Sequence, residues 1–210
     1  MEQIQDMLIE QLKDAVSAEK QAVQGMKKML RKVSDETLRQ GIEAHMVQSE
    51  EQQRRAERAL EAMGDKPGRK VCEAMKGLNE ELSGAAEDFE KGPVRDLAII
   101  AMLQKIEHYE IASYGTMAEL ARALGEEEVA QLVSQTLAEE KETDERLTQV
   151  TRESVLPMAM QDEEGEEDEE EEAPRRRASS GQRAQAKSTG GGRKTAGRGG
   201  RSSAGSGRGR

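Results

Sequence analysis

The chain has 210 residues and a net charge of -10, and 35% of its residues are charged whereas only 1% are aromatic. With one phenylalanine and no tryptophan, a core must be built from aliphatic side chains and methionine, which favours packed helices. The sequence excludes a helical membrane protein and an internal disulfide, because no stretch approaches the roughly 20 apolar residues of a membrane span and Cys72 is the single cysteine.

Two amphipathic helices are predicted at the start of the chain, because apolar residues recur there at three- and four-residue steps. The first stripe extends from Ile4 to Val33, and its charged pattern is unlike the apolar run of a signal peptide, so we expect a cytoplasmic protein. The second helix begins after the capping segment Ser34-Asp35-Glu36 and ends at Gly64-Asp65.

Two further long helices are predicted downstream, the third from about Pro93 to Gly125 and the fourth extending to about Val150. Residues 64–92 connect the two pairs and carry their own apolar stripe from Val71 to Phe89, which predicts an amphipathic crossover helix. Two short turns and one long crossover select an all-α, ferritin-like four-helix bundle in which the second and third helices are parallel.

The end of the chain is divided by charge. Residues 162–172 contain ten acidic side chains in eleven positions, and residues 174–210 contain eleven Lys or Arg and no acid. A segment so poor in aliphatic side chains cannot offset the entropy of ordering itself. The sequence therefore predicts a folded unit over residues 1–156 and a disordered tail over 157–210.

Acidic residues of separate helices are predicted to share one level in the bundle. Glu19 lies 15 residues before Ser34, while Glu110 and Glu140 lie 15 residues on either side of Gly125. Because an α-helix rises a fixed distance per residue, all three acids fall near mid-bundle. The same count places Glu107 and Asp144 level with His45, one helical turn away.

Such a cluster would cost several kcal/mol per unpaired carboxylate in a dry interior. Two divalent cations would neutralise it, and carboxylates with a few imidazoles suit iron or manganese. The alternative for any single acid is a solvated surface residue, and for a lone histidine a structural role. The candidate metal ligands are Glu19, His45, Glu107, His108, Glu110, Glu140 and Asp144.

Four segments resemble the YciE/YciF-type ferritin-like family: SAEKQ at 17–21, CEAMKGLNEE at 72–81, RDLAIIAMLQKIEHYEIASYGTMAELARALG at 95–125 and TLAEEKETDERLT at 136–148. The resemblance covers about residues 3–154. It implies a ferritin-like bundle that forms a homodimer, acts as a ferroxidase and belongs to bacterial stress responses. The acids of the family correspond here to Glu19, Glu107, Glu110, Glu140 and Asp144.

The resemblance has one departure, in the second helix. Where the family places an acid three positions after the histidine, this chain has Gln48. A neutral amide is a weaker ligand for a hard cation, so we expect one of two metal positions to be held loosely, and Glu50 or Glu51 could replace it only if the helix rotated. The expected reaction is oxidation of Fe(II) by dioxygen or peroxide.

Two other functions stay open at this point. Arginine and lysine side chains of residues 175–210 could bind nucleic acid without sequence specificity through phosphate contacts, or they could pair with the acidic run 162–172 of the same chain. The bundle could also be a metal-free scaffold or dimerisation module, since Gln48 removes an expected ligand.

Overall fold

The structure, a computed structural model, describes residues 1–163. Five α-helices follow one another along the chain: Glu2–Met29 (α1), Glu36–Ala62 (α2), Glu73–Ala85 (α3), Pro93–Leu124 (α4) and Glu127–Val150 (α5). No strand occurs within these described residues, and the predicted all-α class is confirmed. Measured by length and hydropathy, none of the helices in this part of the chain qualifies as a membrane span.

Local sequence signals account for the ends of the long helices. The Asp35 side chain accepts a hydrogen bond of 2.7 Å from the backbone N–H of Leu38 and caps α2. Pro93 occupies the first turn of α4, where its missing N–H costs nothing. Gly125 ends α4 in the left-handed region with φ of 76°, a conformation that glycine adopts without steric cost.

The four long helices form a square in the order α1, α2, α5, α4, and α3 packs across α1 and α4. Asp96 at the start of α4 accepts hydrogen bonds from Ser34 and Asp35 at the start of α2, so these diagonal helices are parallel. Ser154, just after α5, donates to Asp35 at 2.6 Å, so α5 ends where α2 begins. The ferritin-like topology predicted from the loop lengths is confirmed.

The crossover helix is shorter than the sequence stripe predicted. Only the 13 residues of α3 are helical, and both ends of the stripe, Val71 and Phe89, are exposed. Positive φ angles at Gly64 and Gly68 bend the chain before α3, and the Cys72 thiol then caps the helix by accepting from the Met75 N–H. The predicted crossover helix is therefore present as α3 but is shorter than its apolar stripe, because the cap at Cys72 begins it and a turn after Ala85 ends it.

The chain stays helical beyond the predicted end of the folded unit at residue 156. A π-helical turn, Thr151–Val155, follows α5, and α-helix continues over residues 156–163. Val155 and Ala159 of this segment are buried. The rest of the predicted tail, including most of the acidic run and the whole basic segment 174–210, lies outside the described residues.

Two apolar cores fill the bundle, one on each side of a polar middle layer. The core near the α1–α2 turn includes Met29, Val33, Leu38, Ile42, Ile99, Ile100, Leu103 and Val155. The core at the opposite end includes Leu8, Leu12, Leu60, Tyr114, Met117, Val129 and Val133. The aliphatic and methionine core expected from the composition is present, and the middle layer is the level at which the sequence placed its acids.

Asp96 is predicted to contribute strongly to stability. Its buried carboxylate accepts from the backbone N–H groups of Ser34 and Asp35 at 2.6–3.0 Å. An Asp96→Ala change strands both donors, so we expect the free energy of unfolding to fall by about 2–4 kcal/mol. Urea denaturation followed by circular dichroism measures this. The control Asp88→Ala alters an exposed carboxylate and should change stability by less than about 0.5 kcal/mol; equal effects would contradict the role of Asp96.

Candidate metal centre

The polar middle layer consists of five buried ionisable side chains from all four long helices: Glu19 of α1, His45 of α2, Glu107 and Glu110 of α4, and Glu140 of α5. Helical spacing explains why α4 supplies two of them. Leu103, Glu107, Glu110 and Tyr114 follow one another at steps of four, three and four residues, so their side chains lie on one face of the helix. The inward face of α4 is therefore one continuous row of residues, which changes from apolar to acidic at mid-bundle.

His45 is the centre of the most compact part of this layer. Its Nε2 atom lies 3.0 Å from an oxygen of Glu107 and 3.9 Å from an oxygen of Glu140. One ligand atom from each of these three residues lies within 4.8 Å of the others. An imidazole and two carboxylates at this separation could hold one metal ion.

Thr143 orients the His45 ring. Its hydroxyl donates to the backbone carbonyl of Glu139 at 3.2 Å, which leaves its oxygen to accept from Nδ1 of His45 at 3.4 Å. With Nδ1 engaged as a donor, Nε2 faces the carboxylates and, once deprotonated, would offer its lone pair to a metal. This is the arrangement by which a neighbouring hydrogen bond prepares a histidine to bind a metal.

Tyr114 has the same relation to Glu19. Its hydroxyl donates a 2.6 Å hydrogen bond to one carboxylate oxygen of Glu19, and the other oxygen has no hydrogen-bond partner within residues 1–163. Burial raises the pKa of Glu19 to about 7, although the Tyr114 hydrogen bond opposes the rise. Glu19 is therefore oriented and poised to exchange a proton for a cation near neutral pH.

Glu110 and Glu140 are the least satisfied members. All four of their carboxylate oxygens lack a hydrogen-bond partner in the described part of the chain. Burial raises the pKa of both carboxyls well above the ordinary value, and the negative charges of Glu19 and Glu107 raise the pKa further. Without a metal these groups must stay protonated, because a second ionised carboxylate at this depth is too costly.

Burial has the opposite effect on His45. It lowers the pKa of the imidazole, but the charge and hydrogen bond of Glu107 and the charge of Glu19 more than offset this, so the pKa is raised. The metal-free layer thus holds extra protons on both its base and its acids. Metal binding has to displace them.

Two of the seven predicted ligands are not brought into this buried group. His108 is 68% exposed, and its Nε2 atom lies 3.5 Å from Asp144, which also accepts from Gln104 at 3.1 Å. The prediction used height along the helix, and height does not fix direction. His108 follows the inward Glu107 by a single residue and is rotated about 100° away from it.

The residues of α2 around Gln48 supply no carboxylate in place of the acid that Gln48 replaces. Gln48 is half-buried beside His45, and Ser49 is fully buried with a hydroxyl that has no hydrogen-bond partner in the described region. Glu50 is exposed, and Glu51 pairs with Arg54 and Arg58, so neither acid replaces the missing carboxylate.

Sequence reasoning missed a second polar layer, which lies nearly two helical turns beyond Ser49 along α2. Arg55 is buried and binds both carboxylate oxygens of Glu139 at 2.8 and 3.0 Å, while also donating to Thr136 at 2.8 Å. Burial alone would raise the pKa of Glu139, but the Arg55 hydrogen bonds lower it. The available signal was the position of Arg55 on the inward stripe of α2, three residues after the buried Gln52.

Comparison with known proteins agrees with this architecture. YciF of Escherichia coli strain K12 is 44% identical over 156 residues, which cover 74% of this chain and 94% of YciF. The crystal structure of the E. coli stress protein YciF matches with a TM-score of 0.68 at 45% identity, over 71% of this chain and 95% of that chain.

Two more distant structures share the fold. YcfI of Rhodopseudomonas palustris matches with a TM-score of 0.67 at 32% identity, over 69% of this chain and 92% of that one. A protein of Xanthomonas campestris pv. campestris matches with a TM-score of 0.62 at 25% identity, over 76% and 99%. The model of the domain of unknown function DUF892 matches residues 3–159. The chain therefore belongs to the DUF892 family, and its resemblance to YciF-type proteins is confirmed.

Proposed function

We propose that this protein binds two iron ions in its buried carboxylate layer and oxidises Fe(II) with dioxygen or peroxide. One observation carries the proposal. Six carboxylate oxygens of Glu19, Glu107, Glu110 and Glu140 are buried and have no hydrogen-bond partner within the described residues. Unsatisfied buried oxygens of this kind are rare in folded proteins unless a proton, water or ion completes them.

The donor set fits a pair of divalent cations of the iron or manganese type. His45, Glu107 and Glu140 would hold one ion, and the free oxygens of Glu19 and Glu110 would contribute to the second. Four carboxylates compensate the charge of two divalent cations, and oxygen donors with one imidazole match the preferences of iron and manganese. With Gln48 in place of a carboxylate, we expect the two ions to differ in affinity.

Iron bound at this layer would supply electrons to the oxidant, and anionic oxygen ligands favour its ferric state over its ferrous state. The contribution of the chain is to hold and shield the ligands. Thr143 and Tyr114 fix the orientations of His45 and Glu19, and the two apolar cores exclude bulk water from either side of the layer. E. coli YciF is described as a stress protein, and removal of peroxide together with Fe(II) would suit such a role here.

Glu110→Gln tests the ligand assignment, because the amide keeps the shape of the side chain and removes its charge. We expect the variant to bind at most one iron ion per chain and to lose iron-dependent oxygen uptake. Metal analysis after anaerobic loading and oxygen-electrode measurements report the two effects. The control Glu119→Gln changes an exposed residue of the same helix and should behave as wild type. A wild-type protein that retains no metal would instead support a metal-free scaffold.

The pH dependence of stability tests the protonation state of the metal-free layer. Glu19 has an ordinary pKa of 4.5 when unfolded and about 7 when folded, so the folded state holds the extra proton. This contribution is fully present below about pH 4.5 and is lost as pH rises through 7. At about 1.4 kcal/mol per pKa unit, Glu19 alone accounts for a loss of about 3 kcal/mol, and Glu110 and Glu140 act in the same direction.

We therefore expect the metal-free protein to melt at a lower temperature near pH 8 than near pH 5. Bound Mn(II) should remove most of this difference, because the metal binds the deprotonated ligands. Differential scanning calorimetry at the two pH values measures this. Glu19→Gln should make the dependence shallower. Melting temperatures that rise with pH in the metal-free protein would contradict the presence of extra protons in the folded layer.

A further inference from the structure

A small cavity opens between α2 and α5 and ends at the candidate metal centre. Its volume is about 50 Å³, and His45 and Glu107 lie at its inner end. This exceeds the roughly 10–15 Å³ that a single water needs when volume is counted over the positions of its centre. The remaining walls are mainly apolar and include Met26, Leu38, Ile42, Leu103, Leu147 and Val150.

Gly41 contributes no side chain to the wall of this cavity. Leu38, Gly41, His45 and Gln48 line it from α2 at steps of three and four residues, so they form one row along the helix. A Cβ atom built on Gly41 would meet no atom of the described residues within 4 Å. On the α5 side, Arg146 lines the cavity but pairs with Glu142 of its own helix. Glycine inside a helix lowers stability by about 0.5–1 kcal/mol relative to alanine. Here the glycine lies in the lining of the cavity.

We propose that this cavity is a binding site for a small uncharged molecule with a short alkyl group, and that alkyl hydroperoxides are the oxidants it admits. The apolar walls favour an alkyl group and disfavour a charged species, which would lose its hydration without a partner. The polar end of the ligand would lie beside His45 and Glu107, which in the metal-free protein can form hydrogen bonds with an O–OH group.

The reaction of such a ligand depends on the proposed function, whereas its binding does not. Reduction of a hydroperoxide breaks the O–O bond with two electrons and two protons and releases one alcohol and one water. Two Fe(II) held by the carboxylate layer would supply the two electrons and become two Fe(III), and the two protons would come from water. The organic product is the matching alcohol, so an alcohol of the same shape is an unreactive probe for the site.

The binding test uses the metal-free full-length protein and tert-butanol. We expect saturable shifts of the methyl resonances of Ile42, Leu147 and Val150 in methyl-labelled protein. Gly41→Leu fills the open space and should abolish these shifts, while it also removes an unfavourable helical glycine. The matched control Gly115→Leu changes another glycine inside a helix with no atom within 4 Å of its Cβ position, and it should bind as wild type does. Absence of saturable shifts in wild type would overturn the proposal.

The reaction test uses iron-loaded protein with tert-butyl hydroperoxide and hydrogen peroxide in parallel. We expect Gly41→Leu to slow oxidation by the alkyl hydroperoxide by about tenfold or more relative to hydrogen peroxide, with iron content unchanged. An unchanged ratio of the two rates would overturn the assignment of the oxidant. If the chain binds no iron, the proposed function fails, and the tert-butanol titration still decides whether the cavity is a binding site.

Discussion

Repulsion among carboxylates in a dry layer is the constraint on which the rest of the molecule depends. Glu19, Glu107, Glu110 and Glu140 are almost completely buried, and electrostatic interactions at that depth are several times stronger than in water. Protons or cations must therefore occupy the layer for the fold to keep its full stability. This layer separates the two apolar cores, and any metal bound there would compete with the protons that stabilise the fold.

The convergence of these groups depends on the relative register of α2 and α4. Asp96 joins the first turn of α4 to the loop between α1 and α2, so it fixes the height at which the two helices begin. From that starting level, 11 residues of α4 lead to Glu107 and 10 residues of α2 lead from Asp35 to His45. Their contact at 3.0 Å follows from nearly equal helical rises. A residue outside the site thereby sets its geometry.

Counting residues along the predicted helices gave the correct height of the buried layer. It was less successful in identifying which candidate residues lie in that layer. The constant rise of a helix placed Glu19, Glu110 and Glu140 together, and all three are buried in the middle layer. His108 and Asp144 have suitable heights, but their rotation about the helix axis leads them to each other. The hydrogen bonds of Tyr114 and Thr143 and the ion pair of Arg55 depend on side-chain positions across different helices, which no periodicity within one helix specifies.

The π-helical turn at Thr151–Val155 changes which residues of the last segment face inward. In α5 the buried positions follow ordinary helical spacing up to Leu147, a pattern that would next turn Ser154 and Met158 toward the core. The wider turn delays this by one residue, and Val155 and Ala159 are buried instead. Ser154 is thereby released to donate to Asp35. An unbroken α-helix of the same sequence would place Ser154 in the interior instead of Val155 and detach this segment from the cap of α2, whereas deleting one residue from the turn would restore ordinary spacing and keep the valine inside.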